Sequence, residues 1–140
     1  MIILDSDHLT ALKYSGSDRY RRLTERLAAA NDTVGTTIIN AEEQLRGWLA
    51  VVAKERNVFR QTAAYRELTA LFEFFHRMHV LEFTEEAANR FQELRGLGIK
   101  VGAMDLKISC IAILNNALLL TANQRDFAKV PGLRFENWID

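Results

Sequence analysis

The sequence has one cysteine, one proline and no net charge. Cys110 has no partner for an internal disulfide and lies in an apolar helical stretch, so it reads as a buried, inert thiol suited to a reducing compartment. Eighteen basic residues balance eighteen acidic ones. No global field therefore recruits nucleic acid or an anionic membrane, and a nucleic-acid partner has to be held by local basic patches or by metal. No apolar run approaches the ~20 residues of a membrane span. Asp5, Asp7 and His8 interrupt any signal-peptide core. Repeats, low-complexity segments and linkers are also missing. A soluble, cytoplasmic, single domain over residues 1–140 is expected, large enough to bury a core without staples.

What is present is an alternation of short apolar runs and helical patterns. Ile2-Ile3-Leu4 reads as a buried strand. A short helix over 8–14 follows, capped by Ser6 or Asp7, and Asp18 caps a second helix to about Ala30. The second carries Arg19, Arg21, Arg22 and Arg26 as a basic face, read as solvated helix surface. Residues 33–37 (TVGTT) form a strand. Thr37 or Asn40 caps a helix to about Lys54, with Ile38, Ala41, Leu45, Trp48, Leu49 and Val52 at helical spacing. With a long helix over 57–77 it makes an antiparallel pair projecting from the sheet. A strand over 80–83, helices over 85–96 and 103–114, a strand over 118–120 and a short fifth strand over 133–135 complete the chain. Strands alternating with helices give an α/β fold: a parallel sheet with helices on both faces.

Four places put a carboxylate at the end of a strand or the start of a helix: Asp5, Glu42/Glu43, Asp105 and Asp126. In a parallel three-layer sheet all of these lie on one edge. Singly, each acid has an ordinary explanation as a cap, a helix-dipole partner or a solvated side chain. Together they repel and raise one another's pKa, which points to a bound cation. Oxygen-only donors select Mg2+ or Mn2+ rather than zinc, and such a site suits phosphodiester hydrolysis. Asn123 is placed to orient a carboxylate or a metal-bound water. Ser6 is placed to hydrogen-bond Asp105 or Asp126, or to cap. His8 lies close to Asp5 but has no companion at ligand spacing, and His76 and His79 read as polar decoration at a helix end.

The opening LDS, TTIINAEEQLRG, VGAMDLKISCIAIL and TANQRDF with VPGLRFENW together resemble the PIN-domain family, and within it the VapC-type ribonuclease toxins of bacterial toxin–antitoxin pairs. The resemblance covers nearly the whole chain. It implies a sheet of order 3-2-1-4-5, an Mg2+- or Mn2+-dependent endoribonuclease, an RNA substrate and an antitoxin that blocks the cleft. It also implies that Asp5, Glu43, Asp105 and Asp126 are the metal carboxylates. Glu43 is chosen because the family glutamate lies four residues before a glycine, here Gly47. The helical wheel favours Glu42 instead, beside the Ile38/Leu45/Leu49 stripe, so Glu42 is kept as the substitute. Asp7 departs from the family, in which many members carry asparagine, and adds negative charge at the site edge.

Two other readings compete. Asp5-Ser6-Asp7 after a strand resembles the nucleophile and general acid of a haloacid-dehalogenase-type phosphatase, though Leu9 stands where a threonine is expected. A catalytically silent PIN-like interaction module is the non-enzymatic alternative. The aromatic residues Trp48, Phe59, Phe72, Phe74 and Phe75 exceed what one helix pair needs on one face. They point to association with a second copy, as a homodimer, or with the antitoxin.

Overall fold

The computed structural model describes all residues 1–140. Its strands are β1 (Ile2–Leu4), β2 (Val34–Thr37), β3 (His79–Leu81), β4 (Leu118–Leu120) and β5 (Arg134–Glu136). Its helices are α1 (Ser6–Lys13), α2 (Asp18–Ala30), α3 (Ile38–Lys54), α4 (Val58–His76), α5 (Glu85–Gly96), α6 (Ala103–Leu114) and α7 (Gln124–Phe127). The sheet order is β3-β2-β1-β4-β5, and every pairing is parallel. This is the α/β architecture and the strand order expected above.

Side chains of a strand alternate between faces, and β1 divides its residues accordingly. Ile3 joins a core with Leu119, Leu94, Leu106, Ile108, Ile111 and Phe127, mostly from α5 and α6. Ile2 and Leu4 join Leu9, Leu23, Leu120, Trp138 and Ile139, under α1 and α2. The central strand is thus clamped between two apolar layers, and its carboxyl end cannot move independently of either. α3 and α4 pack on each other as the projecting pair. No helix is long and apolar enough to cross a membrane.

Helix starts differ from expectation in an instructive way. α1 begins at Ser6, and its cap is Asp5, whose side chain accepts from Ser6 N at 2.9 Å. The chain turns into helix directly after β1, leaving no room for a cap at Ser6 or Asp7. Ser17, not Asp18, caps α2, accepting from Tyr20 N at 3.0 Å. β3 and β5 each lie one residue from their expected starts, and the short α7 was not anticipated.

The basic face of α2 is not simply solvated. Arg22 Nε and Nη2 donate to Ile139 O at 3.1 and 2.8 Å, Arg19 pairs with Asp140 at 2.7 Å, and Arg26 lies 4.5 Å above the Trp138 ring. These arginines hold the carboxyl-terminal segment against the sheet. His8 serves the same end. It is fully buried, with Nδ1 hydrogen-bonded to Asp7 Oδ1 and Nε2 accepting from Trp138 N at 3.1 Å.

Gly35 in β2 is required by a close approach: a Cβ there would stand 2.5 Å from the His79 carbonyl oxygen of β3. Gly35→Ala is expected to cost about 1–3 kcal/mol, as overpacking of a filled interior does. Chemical denaturation would show it as a lower midpoint at unchanged slope.

Candidate active site

The central strand delivers Asp5 to the carboxyl edge of the sheet, where open α/β folds place their chemistry. Asp5 N donates to Leu120 O at 2.9 Å, so its backbone is fixed between β1 and β4. Asp5 as a whole is only 7% exposed. Its Oδ1 accepts from Ser6 N at 2.9 Å and Asn40 Nδ2 at 2.8 Å, and its Oδ2 accepts from Thr121 Oγ1 at 2.7 Å. Burial pushes the Asp5 pKa up. The Thr121 bond opposes this, the Asp7 charge adds to it, and the Ser6 and Asn40 bonds oppose it again.

α3 starts beside this carboxylate because Thr37 caps it, accepting from Asn40 N at 3.1 Å. Asn40 is fully buried and uses both ends of its amide. Oδ1 accepts from Thr37 Oγ1 at 2.7 Å, while Nδ2 reaches Asp5 Oδ1 and, at 3.2 Å, Ser6 Oγ. Ser6 Oγ in turn donates to Glu43 Oε2 at 3.0 Å. The expected hydrogen bond from Ser6 to Asp105 or Asp126 is therefore not formed, because the first turn of α1 faces the start of α3. Burial raises the Glu43 pKa; the Ser6 bond counters it, and the charges of Asp5, Asp105 and Glu42 raise it further.

Glu42 takes a different direction. It pairs with Arg46 at 2.6 Å, next to Ile38 and Leu49, which are 45% and 54% exposed. The apolar stripe that favoured Glu42 on the wheel faces outward. The buried residues of α3 are Ile39, Asn40 and Ala41.

Asp105 stands in the first turn of α6, whose Gly102 cap has no side chain to offer. A carboxylate there is favoured by the helix dipole, yet its pKa is raised to about 6. Burial contributes most, followed by the charges of Asp5, Asp126 and Asp7. Asn123 Nδ2 bridges Asp105 Oδ2 at 3.3 Å and Asp126 Oδ2 at 3.1 Å. Lys129 lies 3.6 Å from Asp126 Oδ1. Asp5, Glu43 and Asp105 form no ion pair with Lys or Arg.

The fold thus brings Asp5, Glu43, Asp105 and Asp126 to one edge, with Ser6 and Asn123 between them. No three His, Cys, Asp or Glu side chains close to joint metal-holding distance. Neutral donors from Ser6, Asn40, Thr121 and Asn123 separate the acids instead. The donor set itself is all hard oxygen and carries repulsion that a divalent cation would relieve, which fits Mg2+ or Mn2+. Sequence reasoning missed the roles of Asn40 and Thr121. Asn40 was weighed only as a helix cap, and Thr121 had no signal beyond being the first polar residue after β4. Asp7 accepts from Ala122 N at 2.9 Å and bonds His8, and its charge adds to that of the site.

Comparison with known proteins gives a consistent result. The PIN domain model matches residues 2–133. Ribonuclease VapC2 of Rickettsia felis is 31% identical over 125 residues, covering 86% of this chain and 85% of that protein. The tRNA(fMet)-specific endonuclease VapC of Salmonella typhimurium is 28% identical over 125 residues, covering 86% and 82%. Among solved structures, VapBC2 of Rickettsia felis bound to a promoter DNA fragment superposes with a TM-score of 0.69 at 27% identity, over 99% of both chains.

The raised pKa of Asp105 has a defined consequence. The folded state keeps a proton on Asp105 that the unfolded chain releases, so this group's contribution to stability is fully present only below the ordinary aspartate value of 3.8. It is lost as pH rises through about 6. Metal-free protein is therefore expected to melt progressively lower across that interval. Asp105→Asn should flatten this dependence and melt at or above wild type near neutrality. A mutant melting well below wild type there would make Asp105 a structural partner of α6 instead.

Proposed function

The chain belongs to the PIN domain family, and we propose that it is a divalent-metal-dependent endoribonuclease acting as the toxin of a toxin–antitoxin pair. One observation carries the reading. Three carboxyls from three separate elements meet at one sheet edge with raised pKa values and no Lys or Arg paired to them. Asp5, Glu43, Asp105 and Asp126 would hold Mg2+ or Mn2+. Such an ion supplies charge neutralisation at the scissile phosphate and activation of water near neutral pH.

The chain's own residues then have separable roles. Asp5, fixed on both oxygens, anchors the site. Ser6 orients Glu43 by donating to Oε2. Asn123 holds Asp105 and Asp126 in register through a single amide nitrogen. Asp105 Oδ1 is not engaged by Asn123, which leaves it open to hold the ion or to take a hydrogen bond from the water that attacks phosphorus as the ester oxygen leaves. The phosphatase alternative fares worse, because Leu9 stands where its threonine is expected and Asp7, its general acid, is engaged by Ala122 N and His8. The substrate class follows the relatives: one is named a ribonuclease and another a tRNA(fMet)-specific endonuclease. An RNA substrate and a buried, unpaired Cys110 support a cytoplasmic location.

The projecting pair is where a partner would sit. Phe59 on α4 is 83% exposed and Phe72 66%. The antitoxin, and a second copy in a homodimer, are the occupants proposed for this surface.

Purified protein free of antitoxin should cut structured RNA with Mg2+ or Mn2+ and stop with EDTA; unchanged cleavage in EDTA would sink the metal mechanism. Glu43→Gln should lower cleavage at least about a hundredfold, the usual scale for removing an electrostatic stabiliser, while Glu42→Gln keeps most of it. A saturating Mn2+ concentration, a hundred times Kd, should add about 2.7 kcal/mol to wild-type stability and much less to Glu43→Gln. The association surface makes a separate expectation. Sedimentation at micromolar concentration should show a dimer or an antitoxin complex, and Phe59→Asp with Phe72→Asp should dissociate it without lowering the melting temperature. A wild-type monomer that binds no partner would contradict it.

A further inference from the structure

A surface cleft of about 390 Å3 adjoins Glu43 and Ser6, and its wall is one face of α3. Glu43, Gly47 and Val51 follow one another at the i, i+4 spacing that aligns side chains along a helix, and Gln44 and Trp48 do the same beside them. The volume lies in the range of small-ligand sites. One end of the cleft is therefore a site carboxylate and the other an aromatic and aliphatic wall.

Gly47 is the informative residue. It sits inside a helix, where glycine weakens the structure. It does not have the positive φ of Gly98 or Gly132, and a Cβ built on it meets nothing within 4 Å. Neither backbone conformation nor packing explains it. Its effect is to leave the floor of the cleft open between Glu43 and Trp48. Gln44 adds a polar group whose Oε1 is already taken by Lys13 Nζ at 3.0 Å, so the donor end of the amide is the end left to a ligand.

We propose that this cleft is a nucleobase subsite, in which an unpaired RNA base next to the scissile phosphate stacks on Trp48 across Gly47 and takes a hydrogen bond from Gln44. It rests on the endoribonuclease reading above and adds to it where the base beside the cut is held. A flat, π-faced ligand with ring carbonyl acceptors matches an indole wall, a floor without a side chain and an amide donor. Stacking of this kind tolerates every base, so the Gln44 contact is what would favour bases with an acceptor at that edge. A neutral subsite also avoids the repulsion a phosphate would meet beside Glu43.

The test uses full-length protein with Glu43 intact and Ca2+ in place of Mn2+, an oxygen-ligated ion of looser geometry, so that a single-stranded RNA hexamer can be titrated without turnover. Quenching of the intrinsic fluorescence by RNA reports on Trp48, since Trp138 also emits but is buried beneath Arg26 and out of reach of a ligand. The hexamer is expected to quench emission, and Trp48→Phe is expected to abolish the quench while retaining most of the affinity. Trp48→Ala should weaken binding by about tenfold or more. Gly47→Leu should weaken it comparably while melting at or above the parent, since leucine favours the helix and its Cβ meets nothing within 4 Å. A hexamer backbone without bases should neither quench nor bind tightly. Absence of quenching, or unchanged affinity in Trp48→Ala and Gly47→Leu, would overturn the subsite. The same result with weakened antitoxin binding would assign the cleft to a protein side chain instead. The nuclease reading fails on a different result, namely no Mn2+-dependent RNA cleavage by wild type while the base-dependent quench persists.

Discussion

A carboxylate almost out of reach of water sits at the end of the central strand, and the remainder of the site depends on how it is satisfied. Asp5 needs hydrogen-bond donors in place of solvent. It draws them from three directions: the first turn of α1 through Ser6 N, the first turn of α3 through Asn40, and the segment after β4 through Thr121. Those three segments are thereby registered against one another. Two short relays then extend to the other acids. Asn40 donates to Ser6, which donates to Glu43. Thr121 Oγ1 accepts from Asn123 N at 3.0 Å, and Asn123 holds Asp105 and Asp126. Every acid in the set is thus tied to Asp5 through neutral groups.

The neutrality of these intermediaries matters. A lysine or arginine in place of Asn40 or Asn123 would relieve the repulsion and lower the carboxyl pKa values, and the site would lose its demand for an external cation. Amides and hydroxyls fix geometry while leaving the charge uncompensated. The folded state bears that electrostatic cost because β1 is held on both sides, by the Leu106–Ile111 layer and by the Leu9–Leu23–Ile139 layer. Active sites commonly combine such local strain with a firm scaffold.

The alternation of apolar runs with amphipathic segments was enough to read the order of strands and helices, because parallel strands buried on both faces leave no other signal. The convergence of Asp5, Asp105 and Asp126 was legible for the same reason: strand ends and helix starts share one edge. The choice between Glu42 and Glu43 was not legible from the wheel. A wheel assumes that the apolar stripe faces the core, and in α3 the stripe with Ile38 and Leu49 faces outward. The cap of α1 was misplaced by one or two residues because the strand-to-helix turn has no loop. The arginine face of α2 looked solvated because its partner, the Trp138–Asp140 segment, is remote in sequence. Asn40 was hidden for a similar reason, since a helix-start asparagine usually caps its own helix rather than bonding an acid thirty-five residues away.

The charge inventory bears on how a chain with no net charge approaches RNA. Of its arginines, Arg19, Arg22 and Arg26 are committed to the carboxyl terminus, Arg46 to Glu42, Arg90 to Glu93 and Arg21 to Asp18 and Glu25. Near the acids only Lys129 is paired, and it stands beside Asp126. A polyanion meeting that edge encounters like charge within a Debye length. Whatever neutralises the carboxylates therefore favours its approach. Binding of substrate and binding of a divalent cation are consequently linked at this site, because the same repulsion opposes the folded acids and the incoming phosphates.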